Sequence, residues 1–259
     1  FVAPDLLLLA DHLTDGATET IVEVAYQREP VPTLWAVRAD GVLLSCAYQR
    51  DQNVVAWARQ STSGTVESIA VIPHPDGDKE QVWLLVNRTI NGATKRYIEY
   101  LDDDGQFYDQ LNVDAAYTCD LGVGSTCTSF VGLGHLEGRG IQIVADGAAL
   151  PMVTVSSGNI TISQAARRVE AGLCYTSTLT TLRPEVPHPG GSSQQVKRRM
   201  ASIFIRFLNT VGAQVKTDLG CTSTIIFRKT SDPLNAPPPL FTGDKEITHL
   251  GWDCGTVTV

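Results

Sequence analysis

The residues that could do chemistry are few, and their spacing limits what each can do. His135 and Glu137 stand two apart in the run Gly132-Leu133-Gly134-His135-Leu136-Glu137-Gly138. On a strand such residues share a face and could hydrogen-bond, which is how a catalytic dyad begins. No third partner is spaced nearby, so the pair reads as a fixed corner leading into the strand pattern at Gly140–Ala145. The same glycine-rich run misses the dinucleotide spacing and opens no helix, so it cradles no phosphate. Asp102-Asp103-Asp104-Gly105 starts like a calcium loop, but its twelfth position is Val113 where glutamate is needed; a solvated acidic turn is expected. Lys197-Arg198-Arg199, the only basic run, reads as a solvated flank. His12, His74, His188 and His249 form no ligand cluster, and no nucleophile elbow, P-loop, H-E-x-x-H or zinc spacing occurs. A glycosidase would need a positioned pair of carboxylates, and none can be read. The expectation is no catalytic, cofactor-binding or metal-binding residue, no cofactor, and no enzyme.

The elements around these residues are strands. Leu34–Arg38 runs through Asp40-Gly41 into Val42–Tyr48, and an Asp-Gly pair between apolar runs is a hairpin signal. Val54–Arg59, Thr65–Ile72, Gln81–Arg88 and, after Asn91-Gly92, Lys95–Leu101 follow at intervals of about 8–12 residues. Trp35, Trp57 and Trp83 sit mid-strand among aliphatic neighbours, as sheet-core aromatics do. A polar stretch from Asp102 to about Thr128 should hold a domain boundary. Beyond it, strands are expected at Ser129–Val131, Gly140–Ala145, Pro151–Val155, Asn159–Ile162, Arg168–Ala171, Cys174–Leu182, Ser202–Asn209, Gln214–Asp218 and Thr224–Arg228. Arg183–Gln195 and the proline-rich Ser231–Pro239 read as loop and extended connector, and only Ser192–Arg199 could form a short helix. The expected fold is all-β. Two β-rich antiparallel domains are expected, over 1–105 and 106–259, with helix below ~15% against a usual ~30–35%.

Composition agrees with a globular chain of 259 residues, 43% hydrophobic and 19% charged. A net charge of −8 argues against free nucleic acid or an anionic membrane as electrostatic partner. No apolar run approaches a membrane span of ~20 residues. Leu6–Ala10 lacks a basic start and a cleavage site, so no signal peptide is expected, and Phe1 in place of methionine suggests a processed chain or a part of a longer one. The six cysteines, with no C-x-x-C pair, read as free thiols made in a reducing cytosol. The sequons at Asn87 and Asn159 are read as chance matches.

Several runs together resemble one family. Pro32–Gly41, then Tyr48–Val54, Trp57-Ala58-Arg59 and Gly64 are similar to the propeller region of podovirus tail nozzle proteins of the tail tubular protein B type. Arg96-Tyr97-Ile98-Glu99, Gly132–Gly138 with Ala145-Asp146-Gly147, Ala171–Tyr175, and Phe241–Asp244 with Gly251-Trp252 continue the likeness in order. The chain resembles the C-terminal part of that family, which implies antiparallel propeller-blade-like sheets, one or two blades, in residues 1–105 and a β-barrel or sandwich-like platform domain in 106–259. The resemblance implies a structural protein of the virion tail, made in the host cytoplasm. It implies a homo-oligomeric ring, a hexamer, in contact with the adaptor and with tail fibre or spike proteins, through which DNA passes without specific binding. The alternative from the residues themselves is an adhesin-type glycan-binding β module that uses Trp35, Trp57 and Trp83 on one exposed face.

Overall fold

The computed structural model describes residues 5–75, 77, 79–102, 113–182, 198–199, 201–217, 220, 222–233, 237–248, 252–253 and 257–259. Strand makes up 59% of them and short 3-10 turns 4%, with no α-helix among the described residues. The all-β class expected from the strand-length periodicity is the class observed. The chain divides into two compact units, Phe1–Tyr175 and Thr176–Val259. The stretch 102–128, where a boundary was expected, lies inside the first unit, between two separate hydrophobic cores.

The first unit begins with a four-stranded antiparallel meander of β1 (Ile21–Gln27), β2 (Thr33–Arg38), β3 (Leu43–Gln49) and β4 (Val54–Gln60). A three-stranded meander follows, of β5 (Thr65–Pro73), β6 (Glu80–Ile90) and β7 (Ala93–Tyr100). The two sheets stack face to face over Val37 and Leu43 from the first and Val66, Ile69, Val82, Leu84 and Val86 from the second. Asn91 and Gly92, at φ 49° and 72°, close the β6–β7 hairpin in the left-handed pair of conformations that matches strand twist.

A sandwich completes this unit. One sheet has the order β11-β10-β13-β8, from β8 (Asp114–Asp120), β10 (Gly140–Ala145), β11 (Ala148–Thr154) and β13 (Arg168–Leu173). The other pairs β9 (Cys127–Val131) with β12 (Asn159–Ala166). Phe130, Leu133, Leu136, Ile141, Ile143, Ile160, Val169 and Leu173 are among the residues that fill the core between them. No sheet closes into a barrel among the described residues, so this part of the expected platform is a sandwich.

The second unit has short pairs: β14 (Arg198–Arg199) with β19 (Trp252–Asp253), β15 (Ser202–Thr210) with β18 (Phe241–Thr248), and β16 (Ala213–Thr217) between β17 (Thr222–Ile225) and β20 (Val257–Thr258). Its core gathers Phe207, Val215, Ile225, Phe227, Ile247 and Val257, with Phe207 edge-on to Phe227 at 5.0 Å.

Two expectations are corrected here. Cys174–Leu182 is no strand: it carries only a bridge between Thr180 and Thr258, because every residue in it is exposed and neither face finds a layer to cover it. Arg198–Arg199, placed in a short helix, pair as a strand with Trp252–Asp253, while 192–197 lie outside the described residues.

Candidate functional site

His135 and Glu137 do not make a dyad. The segment is a 3-10 turn at Gly134–Leu136, not a strand, so residues two apart no longer share a face. His135 Nε2 meets the carbonyl of Ala115 at 3.1 Å. Glu137 turns the other way and accepts from the amides of Ser157, at 2.9 Å, and Gly158, at 2.6 Å. Those two residues, at φ 55° and 70°, are the tip of the hairpin that opens β12, and their amides point away from the ladder. A carboxylate that takes both supplies the partners that tip would lack. A methyl group on Gly158 would meet the backbone of Gly134 at about 3.5 Å, so the two turns pack directly. The pair is a corner, as its glycines suggested, but each residue holds a different neighbour.

The three tryptophans lie on three different faces. Trp35 faces the core between the stacked sheets and donates to Gln27 Oε1 at 3.1 Å. Trp57 lies on the outer face of the β1–β4 sheet and donates to the carbonyl of Leu6 at 2.8 Å. Trp83 lies on the outer face of the β5–β7 sheet, bonded to Gln81 Oε1 at 3.0 Å and packed on Tyr100 at 5.2 Å between ring centres. They therefore do not form one stacking platform. A cleft of about 150 Å³ opens beside Trp35, walled by Pro30, Val31, Val82 and Leu101. Its Gln27 amide is already bonded to Trp35 and to the carbonyl of Glu80, so it cannot turn to orient a ligand.

What remains is apolar surface. The N-terminal segment Leu6–Leu13 covers half of the outer face of the β1–β4 sheet, burying Ala10 and Leu13 against Ala36 and Leu44. Three donors from that face hold its backbone: Trp57 on Leu6, Arg59 on His12 and Arg38 on Leu13. Arg38 itself is buried, with Glu19 at 2.9 Å and Asp40 beside it. That guanidinium holds the Asp40 carboxyl below the usual carboxylate range. The other half of the face is uncovered, with Val24, Tyr26 and Val55 all exposed. On the far side of the stack, Ile72, Ile98 and Tyr100 are exposed around Trp83, with Ile98 75% open.

Charge is unevenly spread. The acidic excess lies wholly in the first unit, whereas the second carries more Lys and Arg than Asp and Glu. Among the described residues no three His, Cys, Asp or Glu side chains gather to hold a metal ion, and no helix is long and apolar enough to cross a membrane. Of the acidic run, Asp103–Gly105 lie outside the described residues, as does Lys197 of the basic run. Cys46, Cys119, Cys127 and Cys174 are free thiols, and Cys221 and Cys254 lie outside the described residues.

Sequence reasoning missed the cover. Leu6–Ala10 was weighed only as a membrane span or signal peptide, although an apolar run ahead of a sheet with apolar residues on both faces was the available signal. Comparison with protein families finds no match for the chain, and comparison with curated proteins finds none.

Proposed function

We propose that the chain is a structural virion protein, a subunit of a phage tail nozzle or hub ring through which the genome leaves. The observation that supports it best is the stack of two antiparallel sheets whose outer faces, on both sides, carry exposed aliphatic and aromatic residues. Apolar sheet faces of this extent mark contacts with other protein. A sheet apolar on both faces belongs between two neighbours, as a blade does in a radial array. The four-stranded meander and the family likeness of its sequence point the same way.

In this reading the protein works as a homo-oligomeric ring, a hexamer, beside adaptor and fibre or spike proteins in the virion tail, and it catalyses nothing. The acidic first unit would repel DNA weakly and let it pass without specific binding. Electron microscopy of the purified protein at assembly concentrations tests this: rings with a central hole are expected. Discrete monomers that bind immobilised glycans, and lose binding on Trp83→Ala, would overturn the reading in favour of an adhesin module.

A further inference from the structure

β4 (Val54–Gln60) closes the four-stranded sheet and has no strand on its other side. Edges of this kind invite pairing with another chain, and folded proteins blunt them with charge, proline, bulges or a cover. Three other edges of the first unit are blunted. In β5 the amide of Val66 bonds the carbonyl of Gly41, that of Ile69 bonds Glu23, and the strand ends on Pro73, which has no amide hydrogen. β7 carries Lys95, Arg96 and Glu99, and β11 has Pro151 at its centre. β4 has none of these devices. Its run Val-Val-Ala-Trp-Ala-Arg-Gln contains no proline and pairs with β3 without a register shift. Five of its seven residues are exposed, so both of its faces are open as well as its edge. Arg59, its one charged residue, is turned onto the outer face, where it bonds the carbonyl of His12.

The ladder decides which backbone groups stand at that edge. Arg38 donates to the carbonyl of Val42, and Tyr48 to that of Pro32, so alternate residues of β3 from Val42 to Tyr48 bond β2. Leu43, Ser45, Ala47 and Gln49 therefore bond β4, through Gln60, Ala58, Ala56 and Val54. That leaves the amides and carbonyls of Val55, Trp57 and Arg59 pointing away from the sheet, and among the described residues nothing bonds them.

We propose that β4 pairs with β4 of a second copy, antiparallel about a two-fold axis at Trp57, so that two four-stranded sheets become one. The strand is complementary to itself. With Trp57 opposite its own copy, Val55 falls opposite Arg59, and every open amide meets an open carbonyl. That adds about six backbone hydrogen bonds, two for each facing pair. A slip toward the β3–β4 turn would set Arg59 against Asn53, whose φ of 53° is not extended. The charge placement agrees: Arg59 faces Val55 across the axis and never its own copy, so no like charges meet. On the other face Ala56 falls opposite Ala58, so nothing bulky obstructs the approach. The contact uses the sheet edge and not the outer faces, so it does not rest on the ring reading.

Amide hydrogen exchange of the whole chain, read residue by residue across a dilution series beside sedimentation equilibrium, tests the pairing. The expected result is a dimer in which the amides of Val55, Trp57 and Arg59 exchange about tenfold slower or more, while those of Ala56, Ala58 and Gln60 are protected in monomer and dimer alike. Charge at position 55 then reads the register. Val55→Glu puts a carboxylate opposite Arg59 of the second copy and should tighten the dimer about tenfold. Val55→Lys puts like charges there and should loosen it by a similar factor. Val55 is exposed in the single chain, so both variants should leave unfolding of the dilute protein nearly unchanged. A chain still monomeric at about 0.5 mM overturns the proposal. So does a dimer whose Val55, Trp57 and Arg59 amides stay fast, or one that Glu and Lys at position 55 shift in the same direction. Protection of those amides only when a foreign peptide is added would assign the edge to another partner and sink pairing between copies. Rings that form while these amides stay open would keep the ring reading and lose this one.

Discussion

β10 of the sandwich buries Ile141, Ile143 and Ala145 and leaves Gln142 and Val144 between them half-exposed, while beyond it Arg167 and Arg168 bridge to Asp120 at 2.9 Å on the solvent side. β6 of the stack buries Val82, Leu84 and Val86 just as deeply, yet places Trp83 and Leu85 on the opposite face, among Ile72, Ile98 and Tyr100. The sandwich closes on one core and carries the Asp120 ion pairs with Arg167 and Arg168 at its surface, whereas the stack closes one core and leaves clustered apolar residues on both outer faces. One of those faces is half sealed by the chain's own Leu6–Leu13, held by backbone carbonyls rather than by a ladder. The difference separates apolar residues that fill a core of this chain from apolar residues that stand on its surface.

The largest effect should come from treating the two regions alike. Ile143→Ala empties part of the sandwich core and should cost about 2–5 kcal/mol in urea unfolding. Ile98→Ala removes a larger-than-usual exposed side chain from the stack's outer face and should stay within about 0.5 kcal/mol for the dilute chain. Its effect should appear instead as weaker self-association in sedimentation. If Ile98→Ala destabilises the dilute chain as much as Ile143→Ala does, the outer face is part of the folding core and the contrast breaks.

Arg38 sharpens the comparison on the covered side. Its guanidinium joins Glu19, Asp40 and the carbonyl of Leu13, so Arg38→Met leaves one buried carbonyl and two part-exposed carboxylates without their donor and should cost on the order of 2 kcal/mol. Proteolysis should then cut first within Leu6–Leu13. Acid should weaken this anchor. The folded value of Asp40 is depressed, so its contribution is present above the unfolded carboxylate value and is lost as pH falls through the folded one. Cleavage of the N-terminal segment that is slower in acid than at neutral pH, with a protease of equal activity at both, would contradict this.

Much of this fold was legible in the sequence, and what was not has a physical cause. β2 to β7 were found within a residue or two because turn pairs such as Asp40-Gly41 and Asn91-Gly92 punctuate them, and Gly41, Asn91 and Gly92 sit at positive φ in the structure. β1 was missed because Ile21-Val22-Glu23-Val24-Ala25-Tyr26 does not alternate. A bulge between Ile21 and Glu23 shifts its faces, and the exposed face is apolar too. β8 was missed because Ala115, Tyr117 and Cys119 pack inward with little aliphatic bulk, between polar residues that read as loop. At His135 and Glu137 the glycines announced a turn, but partners 20 residues away, at Ala115 and Ser157, carry no local signal.

Glu137→Ala ranks next. It leaves the amides of Ser157 and Gly158 without their acceptor and should cost about 1–3 kcal/mol, lowering the melting temperature of the first unit. Glu137→Gln, which keeps one acceptor oxygen, should recover part of the loss. Equal melting of Glu137→Ala and the parent would show that water satisfies the hairpin tip, and that this corner contributes nothing to the closed character of the sandwich.

The smallest expected effect is a labelling rate with no change in stability, and it reads the covered face directly. Cys46 lies on the same face of the β1–β4 sheet as Leu44, opposite Trp57 in the register, and is 0% exposed. Burial pushes its thiol above the usual range, so both thiolate and access are scarce. Cys174 is exposed. A thiol reagent under native conditions should therefore modify Cys174 early and Cys46 late, at a rate set by local opening. Arg38→Met, which frees the N-terminal cover, should speed Cys46 several-fold and leave Cys174 unchanged. Titration of the denatured, unreduced chain should account for all six cysteines of the sequence as thiols. If Cys46 reacts as fast as Cys174 in the folded parent, Leu6–Leu13 does not seal that face, and both outer faces of the stack stand open alike.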